Sequence, residues 1–186
     1  MQSWREANPG WGYELWDDAR CAAFGLRNAV AFAAMREWCG KADILRYEIL
    51  ERHGGVFIDA DSMALRPLDD ALLDHDCWAC FESERARPGL VANGYLGAVP
   101  GCPLMRLLMH AIAGIGPGVA AARAWRTTGP ALLTRIARSY PELHVYPSHL
   151  FIPRHYSGLV QRGPEPPYAE QLWGSTRGLY PPARPA

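Results

Sequence analysis

The segment from Gly54 to Asp61 constrains this chain more than any other, because two glycines lead through three apolar residues into a pair of aspartates. The apolar residues 56–58 are β-branched or aromatic and follow no helical period, which predicts a short buried strand. Side chains at positions i and i+2 of an extended chain point the same way, so Asp59 and Asp61 are expected to face one cleft. That cleft would lie at the carboxyl edge of a sheet, where open α/β sheets bind ligands.

The two aspartates are candidate ligands of a divalent cation. Close carboxylates repel each other, and the pKa of one of them rises unless a cation lies between them. Oxygen ligands suit Mg²⁺ or Mn²⁺, which commonly bring a substrate phosphate with them. Aspartates also end strands for turn chemistry alone, so the pair by itself leaves both interpretations open.

A helix predicted over residues 41–53 carries two further charged groups. Asp43 and Arg46 are three residues apart, which places them on one helix face. They are either a surface ion pair worth a few tenths of a kcal/mol or a polar clamp on a ligand in the cleft. Tyr47 and Leu50 extend the same face and make it partly apolar, which favours the clamp.

The rest of the pattern predicts a mixed α/β fold. Strands are predicted over residues 12–16, 63–65, 77–81, 91–99 and 143–146, and helices over 29–39, 103–112 and 130–140, with a hydroxyl cap for the last helix from the threonines at 127–128. The pair Asn93-Gly94 predicts a turn or bulge. Beyond Pro147 the chain is proline-rich, which predicts irregular structure.

Composition excludes several classes of function. Lys+Arg and Asp+Glu are equal at 19 each, so no overall charge attracts nucleic acid or an acidic membrane. The five cysteines show no scaffold spacing, and the Cys77–Cys80 pair lies in a predicted strand that points its two thiols to opposite faces. With no visible signal peptide and no run near 20 apolar residues, the sequence predicts a cytoplasmic protein without a transmembrane segment.

Two segments resemble a known family. Residues 41–50 and 54–61 are similar to the DXD region of sugar-transferring enzymes, and the best match is glycosyltransferase family 32, which includes capsular polysaccharide and initiating mannosyl transferases. The glucosylating clostridial toxins are more distant relatives. Residues 8–18, 93–103 and 128–130 resemble further parts of the family, so the likeness covers most of the chain and is most specific over 41–61.

The resemblance implies a GT-A-like mixed sheet flanked by helices and a retaining transfer from a UDP- or GDP-sugar. It implies that Asp43, Arg46, Asp59 and Asn93 contact the donor sugar, that Asp59 and Asp61 hold Mn²⁺ or Mg²⁺, and that Asp59, Asp61 and Arg46 are catalytic. The implied acceptor is a glycan or a lipid-linked precursor of a polysaccharide, which is compatible with peripheral membrane contact.

This sequence departs from the family in two places. The strand that precedes the region of Trp4 in the family does not occur in this sequence, so the expectation is either that the start is truncated or misplaced, or that the nucleotide is held differently. Residues 168–175 align with the family's final motif, but Gln171 stands where a histidine is expected, and Trp173 follows it. Since glutamine is a poorer metal ligand, metal affinity or catalysis is weakened, or Glu170 or a nearby histidine substitutes. Residues 1–160 are therefore predicted to form a GT-A-like catalytic domain, and residues 161–186 a Pro-rich segment that carries the final motif.

Two other functions stay open. An apolar strand that runs into Asp-x-Asp also opens phosphatase-like hydrolases, in which Asp59 would be the nucleophile and Asp61 the acid/base. Against it, Ser62-Met63 replaces the usual Gly-Thr, and about a third of the chain precedes the motif. The second is a degenerate transferase domain that binds without catalysis. Trp125 is either a residue of the acceptor site or, more commonly for tryptophan, a core residue.

Overall fold

The computed structural model describes residues 1–174 and 176–178. Its α-helices are α1 (Gln2–Ala7), α2 (Asp18–Phe24), α3 (Ala29–Ala34), α4 (Trp38–His53), α5 (Pro103–Ile115), α6 (Ala124–Thr127) and α7 (Pro130–Ala137). The strands are β1 (Gly55–Ile58), β2 (Ser62–Ala64), β3 (Cys77–Ser83), β4 (Arg87–Ala98), β5 (His144–Tyr146) and β6 (Ala169–Gln171). Short 3₁₀ helices cover Asp70–Asp74, Gly116–Ala121 and Ser148–Leu150. The prediction of a mixed α/β fold is confirmed.

Four strands form the main sheet in the order β1-β4-β3-β5. β4 pairs antiparallel with both β1 and β3, whereas β3 and β5 are parallel. A separate antiparallel pair joins β2 to β6 and brings Ser62 opposite Gln171. The polypeptide that follows the DXD segment is thereby tied to residues more than a hundred positions further along the chain.

A bulge in β4 brings Asn93 to the end of β1. Ala92 pairs with Cys80 and Gly97 with Trp78, so four residues of β4 lie opposite a single residue of β3. The carbonyl of Gly94 accepts a hydrogen bond from the backbone N–H of Asp59 at 2.9 Å. The bulge predicted from Asn-Gly is confirmed, and such bulges commonly re-aim side chains next to functional sites.

The two faces of the sheet bury different kinds of side chain. Helices α4, α5 and α7 cover one face with aliphatic residues, among them Ile44, Leu50, Leu104, Leu108 and Leu132. The other face is aromatic, with Trp4, Trp78, Tyr95, Phe151 and Tyr168 in one cluster. Cys77 belongs to the first cluster and Cys80 to the second, so the two thiols face opposite sides as predicted.

Two predicted elements are wrong. Residues 11–17 form no regular structure, and Trp16 packs edge-on against Phe24 of α2 instead of pairing in a sheet. The single helix expected over 29–39 breaks between α3 and α4, and α4 then runs through Gly40. That glycine serves close packing and does not end a helix, because a Cβ there would lie 2.5 Å from the sulfur of Met35.

The stretch Pro103–Ala121 is long and apolar enough to cross a membrane by length and composition, with a mean hydropathy of 1.4. The sequence predicted no segment near 20 apolar residues, and by length and composition this prediction is wrong. A helix packed in a protein core passes the same test, and Leu104, Leu108 and Ile112 are fully buried here. The irregular structure predicted beyond Pro147 is also interrupted, because β6 lies within that region.

Candidate active site

Asp43 and Arg46 lie on the buried face of α4. The two residues are 5% and 2% exposed, and the guanidinium Nη2 of Arg46 lies 3.6 Å from Oδ1 of Asp43. The interpretation as a surface ion pair is therefore wrong. Arg46 also lies over the ring of Phe57, with 4.8 Å between its guanidinium carbon and the ring centroid. A buried charge of this kind persists only when it is paired and hydrogen-bonded.

Three further side chains complete the surroundings of Asp43. Nδ2 of Asn93 donates to Oδ1 of Asp43 at 2.8 Å, and the hydroxyl of Thr128 donates to Oδ2 at 3.1 Å. The hydroxyl of Tyr47 donates to the carbonyl of Thr128 at 2.8 Å and accepts from Asn93 at 3.1 Å. Burial raises the pKa of Asp43 to about 6, Arg46 opposes this rise, and the nearby charge of Asp59 adds to it.

Asp59 connects this interior to the cleft. Nη2 of Arg46 donates to Oδ1 of Asp59 at 2.6 Å, and the Arg46 Nη1 group donates to the carbonyl of Asn93. The side chain of Asp59 is 30% exposed, whereas that of Arg46 is buried. Position 94 needs a glycine, because a Cβ there would lie 2.7 Å from Oδ2 of Asp59. We call Asp43, Arg46, Asp59, Asn93 and Thr128 the buried network.

Asp61 is held from the other side of the cleft. Nε2 of Gln171 donates to its Oδ1 at 2.6 Å, and the backbone N–H of Gly174 donates to its Oδ2 at 2.7 Å. Burial and the charge of Asp59 raise the pKa of Asp61, and the two hydrogen bonds oppose the rise. We call Gln171 and Gly174, acting on Asp61, the C-terminal clamp.

Gln171 leaves an oxygen available for a ligand. Its Oε1 is buried, and no donor within residues 1–174 and 176–178 lies within hydrogen-bonding distance of it. An amide oxygen next to two carboxylates is a hard oxygen donor set, which suits Mg²⁺ or Mn²⁺. The described residues include no group of three His, Cys, Asp or Glu side chains that could hold such an ion. Asp59, Asp61 and the Oε1 of Gln171 are therefore the candidate ligands, and their chemistry fits a divalent cation.

Trp173 points away from the carboxylates. Its indole N–H donates to the carbonyl of Arg154 at 2.9 Å, and its ring meets those of His155 and Tyr156 edge-on. It adopts a positive φ of 60°, which is uncommon for a non-glycine residue and turns the chain so that the following N–H reaches Asp61. The backbone turn at Trp173 thus helps to position the C-terminal clamp, and its side chain contacts residues 154–156.

The structure thus brings Asp43, Arg46, Asp59 and Asn93 together as the sequence predicts, and it adds residues that sequence reasoning missed. Thr128 was expected to cap α7, but the N-cap residue is Gly129 and α7 has no side-chain cap, because the Thr128 hydroxyl bonds to Asp43. Nothing in the local sequence distinguishes the two uses. Glu170 forms an ion pair with Arg154 at 3.5 Å, so it is not a substitute ligand for Gln171.

Comparison with known proteins finds similarity to sugar-transferring enzymes over part of this chain. Residues 1–79 match the family model described as a glycosyltransferase sugar-binding region containing a DXD motif. The inositol phosphoceramide mannosyltransferase 2 of Schizosaccharomyces pombe is 31% identical over 114 residues, which are 59% of this chain and 32% of that protein. The initiation-specific alpha-1,6-mannosyltransferase of Candida albicans is 29% identical over 100 residues, which are 50% of this chain and 25% of that protein.

These matches bear out the predicted resemblance to sugar-transferring enzymes with a DXD motif. The family model covers residues 1–79, the part of the chain that carries Asp43, Asp59 and Asp61. The aligned parts span about a third or less of the curated relatives. Among solved structures, the PaToxG glycosyltransferase superposes with a TM-score of 0.48 at 12% identity, covering 67% of this chain and 45% of that one.

Proposed function

We propose that this chain transfers a sugar from a nucleotide-diphosphate sugar to a glycan or lipid-linked acceptor, with retention of configuration and with the help of Mn²⁺ or Mg²⁺. The observation that carries the proposal is the buried network, a set of ionised and amide groups that reaches the cleft through Asp59. Its polar groups are paired to each other in the interior, so their geometry is fixed before a ligand arrives.

Recognition of the donor sugar falls to the buried network. Asp43, Asp59 and Asn93 carry carboxylate and amide groups, which are suitable hydrogen-bond partners for sugar hydroxyls. Because these groups are held by each other, they keep a fixed geometry toward the hydroxyls of a bound sugar. Arg46 holds Asp59 in position through their 2.6 Å hydrogen bond, and its guanidinium adds positive charge near the developing charge of the leaving diphosphate.

The acidic pair and Gln171 would hold the cation. Gln171 binds Asp61 through its Nε2 and carries a buried Oε1 without a partner among the described residues, and the C-terminal clamp fixes the orientation of Asp61. When bound, a divalent cation neutralises the charge that accumulates on a departing diphosphate. Gln171 in place of histidine is compatible with this role, since an amide oxygen is a suitable ligand for Mg²⁺ or Mn²⁺.

The hydrolase alternative fits this geometry less well. That mechanism gives roles to Asp59 and Asp61 but none to the buried side chains of Asp43, Asn93 and Thr128, which bond to each other beside them. The nucleophile of that mechanism would be Asp59, one oxygen of which is paired with Arg46 at 2.6 Å. The names of the relatives make mannose the first donor sugar to test.

The test is thermal unfolding with UDP-glucose, UDP-galactose and GDP-mannose, each with and without Mn²⁺. At a ligand concentration of about 100 Kd, binding stabilises the fold by about 2.7 kcal/mol, so at least one donor should raise Tm by several degrees, and only with Mn²⁺. Asp61→Asn should abolish the Mn²⁺-dependent part. Asp70→Asn, an exposed aspartate of the 3₁₀ helix after β2, is the matched control and should retain it.

Release of free sugar from the stabilising donor, or its transfer to an acceptor, separates the enzyme from the non-catalytic alternative. Donor binding without any turnover would support the degenerate domain. No Tm shift with any nucleotide sugar, combined with hydrolysis of an aryl phosphate that is lost in Asp59→Asn, would replace the proposal with the hydrolase.

A further inference from the structure

Trp125 lies at the surface beside the buried network and not in the core. Its side chain belongs to α6, immediately before the threonine that bonds to Asp43, and the residue is 40% exposed. A Cβ built on Gly129 would lie 3.0 Å from Oδ2 of Asp43 and 3.1 Å from Cα of Trp125. The backbone that carries this indole therefore passes directly beside the buried network.

Arg87 reaches Trp125 from the opposite direction. It is the first residue of β4, and its guanidinium carbon lies 5.6 Å from the centroid of the Trp125 ring. Nη2 of Arg87 donates to the hydroxyl of Tyr156 at 2.9 Å. Its ion pair with Glu82 is long, at 4.0 Å. The Arg87 side chain thus connects two partly exposed aromatic rings that come from distant parts of the chain.

Tyr156 connects Arg87 to the C-terminal clamp through its contact with Trp173. Its ring packs against Trp173 at 5.2 Å between centroids, and the N–H of the next residue, Gly174, binds Asp61. Tyr156 also lies against His155, whose Nε2 is 3.1 Å from the carboxylate of Glu82. A continuous series of contacts therefore runs from Asp43 over these side chains to Asp61.

The geometry points to a binding site for the sugar ring of the acceptor on Trp125, Arg87 and Tyr156, which we call the aromatic rim. This inference rests on the proposed sugar transfer and adds to it the place and the chemical class of the second substrate. Trp125 and Tyr156 offer partly exposed ring faces, and Arg87 offers guanidinium N–H groups for ring hydroxyls.

The physical argument depends on position and exposure together. Exposed aromatic rings combine a large apolar surface with a polar edge, which suits a sugar ring that has apolar C–H faces and polar rims. Tryptophan costs little conformational entropy to hold in place, and Arg87 restrains both rings further by its contacts. An acceptor bound there would lie beside the carboxylates that are proposed to hold the donor, as transfer requires.

The test is saturation-transfer NMR with methyl α-mannoside, methyl α-glucoside and myo-inositol as probes of ring binding. At least one of these rings should bind the unmodified chain, and Trp125→Ala and Tyr156→Ala should each weaken that binding about tenfold. Leu107→Ala removes an equally exposed apolar side chain from α5 and should leave the binding unchanged. The side chains of Trp125, Tyr156 and Leu107 are partly exposed. The Tm of each variant should therefore stay within a few degrees of that of the unmodified chain, and measuring Tm shows directly whether a variant has lost its fold.

The same samples are titrated with the nucleotide sugars. If nucleotide sugars bind but no ring binds, or if the rim variants bind rings as tightly as Leu107→Ala, the aromatic rim is overturned and the proposed function stands. If rings bind through Trp125 and Tyr156 while no nucleotide sugar binds, the proposed function falls and the rim remains a sugar site. Absence of both kinds of binding overturns both.

Discussion

The two halves of the site are built in opposite ways. The buried network takes its side chains from α4, from the residue after β1, from the bulge of β4 and from the residue after α6, and α4 and α6 both contribute buried residues to the aliphatic core. The C-terminal clamp takes its groups from a three-residue strand and the turn after it, which are attached to the molecule mainly through β2. Arg46 is almost fully buried, whereas Leu172, between the two clamp residues, is 44% exposed.

This difference separates two tasks. A network inside the core has a fixed geometry, and any change in it affects the stability of the whole fold. A clamp on a short outer strand contributes little to the core and can open at low cost in free energy. We therefore expect mutations in the network to change folding and binding together, and mutations in the clamp to change mainly the affinity for the metal.

The largest effect is expected for Arg46→Ala. The substitution leaves the carboxylates of Asp43 and Asp59 without their cation, and breaking a buried ion pair in this way costs about 3–5 kcal/mol. Urea unfolding at pH 7 measures the loss. Arg20→Ala breaks an exposed ion pair of equally short distance, 2.6 Å, and should cost less than about 1 kcal/mol. Equal losses of unfolding free energy in the two variants would show that the buried ion pairs of Arg46 stabilise the fold no more than an exposed ion pair does.

A second prediction uses the raised pKa of Asp43. Its value of about 6 in the folded chain exceeds the value of 3.8 for a free aspartate, so between pH 4 and 6 the folded state binds more protons than the unfolded state. Raising the pH through that window therefore lowers the free energy of unfolding, by about 3 kcal/mol in total. The stabilising contribution is fully present below pH 4 and is lost as the pH rises through 6.

Asp43→Asn removes this titration. Relative to the unmodified chain, the variant should gain up to about 3 kcal/mol of stability between pH 4 and pH 7, whatever constant cost the lost ion pair with Arg46 adds. Urea unfolding of both proteins at pH 4, 5, 6 and 7 gives the difference directly. Parallel stability curves would show that Asp43 is ionised over the whole range, and the network would then be more strongly paired than its burial implies.

The smallest effect on stability is expected for Gln171→Ala. It removes one hydrogen bond to Asp61, worth about 1 kcal/mol, but it also removes the unpaired oxygen proposed to contact the cation. The Tm shift caused by Mn²⁺ should therefore fall sharply while Tm without metal changes little. Gln171→Glu keeps an oxygen at this position and should retain the metal response. A large loss of stability without metal would mean that the clamp is part of the core.

Much of this arrangement could be predicted from local sequence. Apolar runs predicted β1, β3 and β4 correctly, and the spacing of Asp43 and Arg46 gave their shared face. The strand expected at 12–16 failed because its alternation is satisfied by side-chain packing of Trp16 on Phe24. Gly40 was misinterpreted because a glycine that permits close packing has the same sequence appearance as one that ends a helix.

The rest depends on contacts between distant residues, which local patterns do not encode. Thr128 meets Asp43 across 85 positions, and His155 meets Glu82 across 73. Each of these residues is ordinary in its own segment, and only the folding of the chain gives it a partner. The aromatic rim is of the same kind, since Arg87 and Tyr156 are 69 positions apart.

The long separation within the clamp has a consequence for how the protein is made. Asp61 leaves the ribosome 110 residues before Gln171, which at the usual rate of synthesis is roughly 5–20 s. During that time Asp43, Arg46 and Asp59 are already synthesised, while Asp61 has neither of its hydrogen-bond partners. A chain cut short before residue 171 would therefore keep the residues of the buried network and leave Asp61 without Gln171 and Gly174, so completion of translation is needed to hold the second aspartate in place.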